Sequence, residues 1–316
     1  MPYSIDNRQS TIDNVLAMKR FAALLLLGLP TLAQTPSSMV VTTQWLAARL
    51  GQPDIVIVHV APDRKQYDAA HLPGARFLAL QDIVVMRDKL PNELPPVDQL
   101  KRAFESVGVG DNTRVVLYSE NANLYAARAW WTLDYLGHAA SAALLDGSLE
   151  KWQDEKRPTM KESPAPARAI FTPRLHPEVL VTMPVAADAS WIARNVDPPS
   201  VTLIDARPPE QYSGAQPGEN ISRPGHIPGA MNIYWVDTLE SKSDPRLLPI
   251  PDLRKLFHAA GVSNRSVVVY CRSGMQSSYV YFVARFLGYE ASMYDGSFLE
   301  WSNSSANPVE KNSLRH

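Results

Sequence analysis

The chain repeats itself, and this duplication restricts the folds open to it more than any other feature. Four blocks of similar sequence recur in the same order, each about 150 residues after its first appearance. The matched blocks are residues 71–75 with 226–230, 100–109 with 253–262, 115–118 with 267–270, and 145–152 with 294–301. Because order and spacing are both kept, we interpret the chain as two copies of one folding unit.

A proline-rich segment separates the two copies. Residues 156–177 contain five prolines, which prevent a regular helix or a central strand, so we predict a linker that runs over the surface. The predicted organisation is a leader at 1–33, a first domain at 38–155, the linker, a second domain at 178–302 and a polar tail at 303–316.

Each copy alternates short apolar segments with amphipathic ones. The predicted strands are 55–60, 115–118 and 143–145 in the first copy and 201–204, 267–270 and 292–294 in the second. The predicted helices are 97–107, 124–136, 251–260 and 276–287. Continuous β-branched runs are typical of strands covered on both faces, and strand–helix alternation implies parallel strands with right-handed crossovers. We therefore predict an α/β fold with a mainly parallel sheet, flanked by helices, in each copy.

Composition excludes several function classes. The 316 residues include 31 Lys and Arg against 32 Asp and Glu, so no basic surface for nucleic acid is expected. One cysteine cannot form an intramolecular disulfide or a multi-cysteine zinc or iron–sulfur site. The seven histidines show no metal-ligand spacing. We predict neither a metal site nor a resident cofactor.

The N-terminal region has the features of an export signal. A basic start at residues 18–20, an apolar run at 21–29 and small residues at Thr31 and Ala33 are typical of a secretory signal peptide cleaved after Ala33. The apolar run is shorter than the about 20 residues that span a bilayer. We therefore expect a periplasmic or secreted protein with no membrane span after cleavage. Translation starting at Met1 or Met18, and a buried helix instead of a signal, remain alternatives.

The single cysteine lies where reactive groups gather in parallel sheets. Cys271 ends the predicted strand 267–270 and precedes a polar turn and a helix predicted to begin near Gln276 or Ser277. Inward-pointing N–H groups of such a turn, the helix start and the charge of Arg272 all favour a thiolate. A buried, inert cysteine is the alternative, but the polar residues that follow Cys271 favour a reactive one.

The motifs of the second copy, taken together, resemble those of the rhodanese-type sulfurtransferases in their tandem-domain form. They are Asp205-Ala206-Arg207, Gly225-His226-Ile227-Pro228-Gly229-Ala230, the Cys271 loop, Tyr294-Asp295-Gly296-Ser297 and Glu300-Trp301. The first copy matches through residues 71–75, 128–131 and 146–148, so the resemblance covers residues 38–302. It implies two tandem rhodanese-like domains.

The resemblance also implies a reaction and a set of site residues. Cys271 would take a sulfane sulfur from thiosulfate or 3-mercaptopyruvate as a persulfide and pass it to a thiol or cyanide. The residues implied to contact the small anionic donor are Arg272, Ser273, Gly274, Met275, Gln276, Ser277, Arg207 and Arg223. Arg272 is typical of thiosulfate enzymes and Ser273 of mercaptopyruvate enzymes, so both donors stay open, with thiosulfate expected.

The first copy carries Ser119 and Glu120 where the second has Cys271 and Arg272. A serine without a base partner is a poor nucleophile, so we expect the first copy to be inactive. Phosphatases with a related loop need an arginine six residues after the cysteine, where this chain has Ser277, which argues against that class. A non-catalytic persulfide carrier and a purely structural module remain alternatives.

Overall fold

The computed structural model of the chain describes residues 39–165, 169–195, 199–262 and 266–311. The predicted leader and signal peptide lie outside these residues. Within the described ranges, no helix is both long enough and apolar enough to span a membrane, and no cluster of three or more metal-ligating side chains occurs.

The first half is built on a five-stranded parallel sheet, counted over the described residues. The strands of this half are β1 (Val40–Val41), β2 (Ile55–Ala61), β3 (Arg76–Ala79), β4 (Val85–Arg87), β5 (Leu90–Glu93), β6 (Arg114–Tyr118) and β7 (Ala142–Leu145). Its helices are α1 (Thr43–Ala47), α2 (Lys65–Ala69), α3 (Leu80–Ile83), α4 (Val97–Ser106), α5 (Leu124–Tyr135) and α6 (Ser148–Asp154). The sheet order is β1-β7-β6-β2-β3, while β4 and β5 form a separate antiparallel hairpin.

The second half repeats this arrangement. Its strands are β8 (Leu180–Val181), β9 (Val201–Asp205), β10 (Met231–Asn232), β11 (Ser266–Tyr270) and β12 (Ala291–Tyr294). Its helices are α7 (Met183–Asn195), α8 (Pro209–Ser213), α9 (Ile250–Ala259), α10 (Met275–Phe286) and α11 (Ser297–Asn303). The parallel order β8-β12-β11-β9-β10 matches the first sheet strand for strand, which confirms the predicted α/β fold.

The central strands were predictable and the edge strands were not. β6 and β11 are buried apolar runs, as strands covered on both faces must be. By contrast β1, β8 and β10 have only two residues each, too few to show a period. The hairpin β4–β5 was also missed, because its polar sequence gives no alternating pattern.

The duplicated histidines have the same structural surroundings in both halves. His71 donates from Nδ1 to the carbonyl of Tyr67 at 2.7 Å, and His226 donates to the carbonyl of Tyr212 at 2.8 Å. Each imidazole stacks on the ring of its tyrosine with centroids 3.8 Å apart. Burial lowers the pKa of His226, which disfavours its charged form. These contacts support a structural role for both histidines.

The two halves meet mainly along α5 and α10. Trp130 of α5 packs edge-on against Phe282 of α10, with ring centroids 4.9 Å apart. At the far end of the same pair, buried Asp134 accepts a hydrogen bond from Tyr281 Oη at 2.7 Å and lies 3.4 Å from Arg285. Because α10 starts directly after the cysteine loop, this packing places that loop beside the first half.

Candidate active site

Cys271 follows β11 directly and is almost fully buried, with 1% of its surface exposed. The helix α10 begins at Met275, so only three residues separate the cysteine from the helix. We predicted a start at Gln276 or Ser277, and the turn is therefore tighter than expected. Met275 and Gln276 are half-buried in the first turn of α10.

The tight turn depends on Gly274. Its φ is 82°, in the left-handed region that favours glycine. A Cβ placed there would also lie 2.8 Å from Asp295 Oδ1 and 2.9 Å from Arg128 Nη1. Both the backbone angle and the lack of space therefore require glycine at this position.

Ser297 holds the two ends of the turn together. Its Oγ accepts hydrogen bonds from the N–H groups of Cys271 at 3.3 Å and Gly274 at 3.1 Å, and donates to the carbonyl of Tyr294 at 2.8 Å. Ser297 was not predicted to have a role of its own. The signal was present, because the Asp-Gly-Ser block recurs at residues 146–148 with Ser148 in the same left-handed conformation.

The sulfur of Cys271 receives a hydrogen bond from the start of α10. Ser277, fully buried, donates from Oγ to Cys271 Sγ at 3.4 Å. The N–H groups in the first turn of a helix have no partner within the helix, and they give its start a partial positive charge. A negative charge on this sulfur is therefore stabilised by a hydroxyl donor and by the helix start.

Arg272 contacts residues 214–222, a segment before the repeated block at 226–230 that has no counterpart in the first copy. Its side chain is 30% exposed, and Nη1 donates to the carbonyl of Glu219 at 3.3 Å. The carboxylate of Glu219 lies 3.8 Å from the same atom but is 77% exposed, so this ion pair is weak. Arg272 thus stands next to Cys271 with its charge accessible to an anionic donor.

Arg207 is buried beside the cysteine strand in a pair with Asp205. Its Nε and Nη2 bind both carboxylate oxygens of Asp205 at 2.5–3.1 Å, and Nη2 also donates to the carbonyl of Gly225 at 2.7 Å. Burial acts to lower the pKa of Arg207, but Asp205 more than offsets it and the pKa is raised, with a smaller contribution from Cys271. The two N–H groups on Nη1 are not used in these bonds.

Arg223 is held at a different place. Its guanidinium donates to the carbonyls of Ser302 at 2.9 Å, Asn307 at 2.6 Å, Trp301 at 3.2 Å and also Ser304. These contacts join the last turn of α11 to the segment that follows it, and no hydrogen bond or ion pair described for this side chain joins it to the Cys271 loop. Its role in donor binding stays a prediction.

In the corresponding loop of the first half, polar groups are hydrogen-bonded to other groups of the same half. Ser119 Oγ donates to the carbonyl of Glu120 at 2.9 Å and accepts from the N–H of Ala126 at 3.3 Å. The Glu150 carboxylate accepts the N–H of Ala122 at 3.3 Å, so a loop amide is already bound to an internal anion. The counterpart of Glu150 in the second half is Leu299, which cannot accept in this way.

A carboxyl with a strongly shifted pKa lies close to the cysteine loop. Glu93 ends β5, and its Oε1 is buried without a hydrogen-bond partner among the described residues. Burial, followed by repulsion from Asp295 and Glu300, raises the pKa of Glu93 to about 7 from 4.5, while Arg128 and Arg87 act in the opposite direction.

This shift predicts a pH-dependent gain in stability for Glu93→Gln. Below pH 4.5 Glu93 is protonated in both the folded and unfolded chains and behaves like glutamine. As the pH rises, the unfolded chain ionises first, and the folded state loses stability until its own pKa near 7 is passed. We expect Glu93→Gln to raise the free energy of unfolding by on the order of 2 kcal/mol above pH 7 and by little at pH 4.

Urea unfolding at pH 4, 6 and 8 measures this gain, with the exposed Asp154→Asn as the matched control. The control is expected to change stability equally at all three values. A Glu93→Gln gain that does not grow between pH 4 and 8 contradicts the assignment of the shifted pKa to Glu93.

Comparison with known proteins identifies the two halves. The family model described as Rhodanese-like domain matches twice, at residues 42–155 and 188–304. The sulfur carrier protein TtuD of Thermus thermophilus is 31% identical over 285 residues, covering 86% of this chain and 96% of the relative. A Haloferax volcanii protein, provisionally named a thiosulfate sulfurtransferase, is 32% identical over 286 residues, with 86% and 96% covered.

A solved structure gives the same result. The 3-mercaptopyruvate sulfurtransferase SseA from Escherichia coli matches with a TM-score of 0.71 and 26% sequence identity. The match covers 83% of this chain and 99% of that one, so both halves take part in it.

Proposed function

The chain belongs to the rhodanese-type sulfurtransferase family, and from that premise we propose that it transfers a sulfane sulfur from thiosulfate through a persulfide on Cys271 to cyanide or a thiol. The family resemblance predicted from the sequence is thereby confirmed. The observation that carries the proposed reaction is the setting of Cys271: it ends a buried strand, and its sulfur receives the Ser277 hydroxyl at the start of α10.

The proposed reaction consists of two displacements on sulfur. The Cys271 thiolate attacks the outer sulfur of thiosulfate, a new S–S bond forms, and sulfite leaves with the electron pair of the broken S–S bond. Cyanide carbon then attacks the outer sulfur of the persulfide: a C–S bond forms, the S–S bond breaks with its electron pair on Cys271, and thiocyanate is released from the restored thiolate. The Ser277 hydroxyl and the first-turn N–H groups of α10 stabilise the anionic sulfur before and after each step.

The proposed donor follows from the charge of Arg272. Thiosulfate carries two negative charges, and the exposed part of the Arg272 guanidinium supplies a charge-assisted contact to its oxygens. We expect a higher kcat/KM for thiosulfate than for 3-mercaptopyruvate, measured with cyanide as the common acceptor. Arg272→Gly is expected to lower kcat/KM for thiosulfate by about tenfold.

Arg272→Lys is the matched control, because it keeps the charge and loses only the forked geometry. It is expected to retain most of the preference for thiosulfate. A wild-type protein that uses 3-mercaptopyruvate much faster than thiosulfate contradicts the proposed donor, and the sulfurtransferase assignment would then continue with the other donor.

A sulfur carrier without turnover is the second candidate, because one relative is named a sulfur carrier protein. In that case Cys271 takes up one sulfur atom and releases it only to a partner protein. Incubation with cyanide while thiosulfate is kept in excess distinguishes the two functions. A carrier gives at most one thiocyanate per chain, whereas the proposed enzyme gives many.

We also propose that the protein is exported through a signal peptide at residues 18–33, which lies outside the described residues. A periplasmic or secreted protein with an N-terminus at Gln34 is the expected result. The intact mass of the protein purified from the exported fraction measures this, and a mature chain that retains residues 18–33 contradicts it.

A further inference from the structure

The first half of the molecule contacts the cysteine loop directly. Asn92, the residue before Glu93 in the hairpin β4–β5, donates from Nδ2 to the carbonyl of Ser273 at 3.0 Å and to its Oγ at 3.2 Å. Ser273 is itself only 5% exposed, so this contact lies in the interior of the boundary between the halves.

A second contact comes from Arg128 on α5, whose side chain is fully buried. Nη1 donates to the carbonyl of Gly274 at 3.2 Å and to Asp295 Oδ1 at 2.6 Å. Nη2 donates to Asp295 Oδ2 at 3.4 Å and to the carbonyl of Asn92. Asp295 also accepts the N–H of Leu94 at 3.0 Å. One buried ion pair thus links α5, the hairpin and the cysteine loop.

The contacts from the first half bind two of the four backbone carbonyls of the loop at residues 271–274. The carbonyls of Cys271 and Arg272 are bound by the N–H groups of Phe298 and Leu299, both at 3.0 Å. The next two carbonyls are bound by the first half: Asn92 binds that of Ser273, and Arg128 binds that of Gly274. The Gly274 carbonyl also accepts a hydrogen bond from Ser278 Oγ. In the peptide group between Ser273 and Gly274, Asn92 binds the carbonyl and Ser297 Oγ binds the N–H, so both of its polar groups are fixed.

We propose that Arg128 and Asn92 are positioning residues for sulfur transfer: they fix the carbonyls of Ser273 and Gly274, so that the loop keeps the conformation in which the Ser277 hydroxyl and the start of α10 stabilise anionic sulfur. The first half is then part of the working site although its own loop carries serine. If the Asn92 contact is lost, the peptide group of Ser273 keeps only its N–H bond to Ser297, and if the Arg128 contact is lost, the Gly274 carbonyl keeps Ser278 Oγ. Each peptide group is then held less firmly, and its carbonyl dipole can turn toward the sulfur.

The activity part of this inference rests on the proposed function, but its main test does not. Cys271 is the only cysteine, so its alkylation by iodoacetamide is read without ambiguity from the intact mass. The measured quantity is the ratio of the alkylation rate at pH 7 to that at pH 9. This ratio reports how well the loop favours thiolate, and it cancels changes in reagent access.

We expect Asn92→Ala to lower this ratio by about fivefold to tenfold and to lower kcat for thiosulfate more than it changes KM. Arg128→Met alone leaves Asp295 buried without its cation and is expected to fold poorly. The double variant Arg128→Met with Asp295→Asn avoids this and is expected to show the same fall in the ratio. Arg128→Lys, which cannot bind both Asp295 and two carbonyls, should be intermediate.

Arg285→Met is the matched control, because Arg285 forms the other described ion pair between the halves and does not contact the loop. It should change thermal stability without changing the alkylation ratio. The proposal is overturned if folded Asn92→Ala and the double variant keep the wild-type ratio, or if Arg285→Met lowers it equally. Wild-type chain that fails to turn over thiosulfate while the ratios respond as expected contradicts the proposed function and leaves the positioning role standing.

Discussion

We expect Cys271→Ser to remove the proposed sulfur transfer: kcat/KM for thiosulfate with cyanide should fall by at least about 10³-fold, and the chain should no longer gain the mass of one sulfur atom from thiosulfate. The hydroxyl is nearly isosteric with the thiol and sits at the same buried position, so the fold is expected to survive. The loss is chemical, because a serine hydroxyl at neutral pH is neither ionised nor able to form a persulfide. Initial rates and intact mass after exposure to thiosulfate measure the two effects.

Ser119→Ala, at the corresponding position in the first half, is the matched control. Ser119 is fully buried and its hydroxyl bonds only to the backbone of residues 120 and 126, so its removal should cost stability and leave the rate unchanged. If Cys271→Ser kept turnover, or if Ser119→Ala abolished it, the reacting group would lie elsewhere and the persulfide mechanism would be wrong.

The parts of the site that lie close together in the chain could be predicted from the sequence. The strand β11, the cysteine at its end and the helix α10 follow one another within about twenty residues, and strand pattern, polar turn and helix pattern all point to the same arrangement. The duplication extended this interpretation to the second sheet. Because four blocks match between the halves, the two halves were expected to share one fold, and the two sheets do have the same strand order.

The residues that were missed reach the loop from far away in the chain. Asn92 is 181 residues from Ser273, and Arg128 is 167 residues from Asp295. The block that contains Arg128 marked the family resemblance but gave no reason for a buried arginine, since its partners belong to the other half. A pattern within one segment reports burial and period, whereas the partner of a buried charge depends on how the two halves pack.

The partner of Arg207 could not be predicted from the sequence either, although this partner is only two residues away in the chain. The family resemblance implies that Arg207 contacts the anionic donor, and the alternative from the sequence is an ion pair with a nearby acid. The structure shows a fully buried pair with Asp205 that uses Nε and Nη2, and Nη1 takes no part in this pair. The two roles are therefore compatible, and they make separable predictions.

Arg207→Met is expected to lower the free energy of unfolding by about 3–5 kcal/mol, because it leaves the Asp205 carboxylate buried without its cation. Adding Asp205→Asn removes that charge while keeping an oxygen that can accept the N–H of residue 207, as Asp205 Oδ1 does at 3.0 Å. The double variant should regain most of the lost stability. Urea unfolding of the wild type, both single variants and the double variant measures this.

Kinetics on the stable double variant then isolates the role of Arg207 in binding. If Nη1 contacts the anionic donor, KM for thiosulfate rises by about tenfold or more while stability stays near the wild-type value. Phe298, whose ring lies 4.1 Å from the guanidinium carbon, packs equally well against methionine, so the site should keep its shape. If the double variant keeps the wild-type KM, Arg207 only neutralises Asp205 and does not contact the donor. If Arg207→Met alone lowers the free energy of unfolding by less than about 1 kcal/mol, Asp205 is not held as a buried charge.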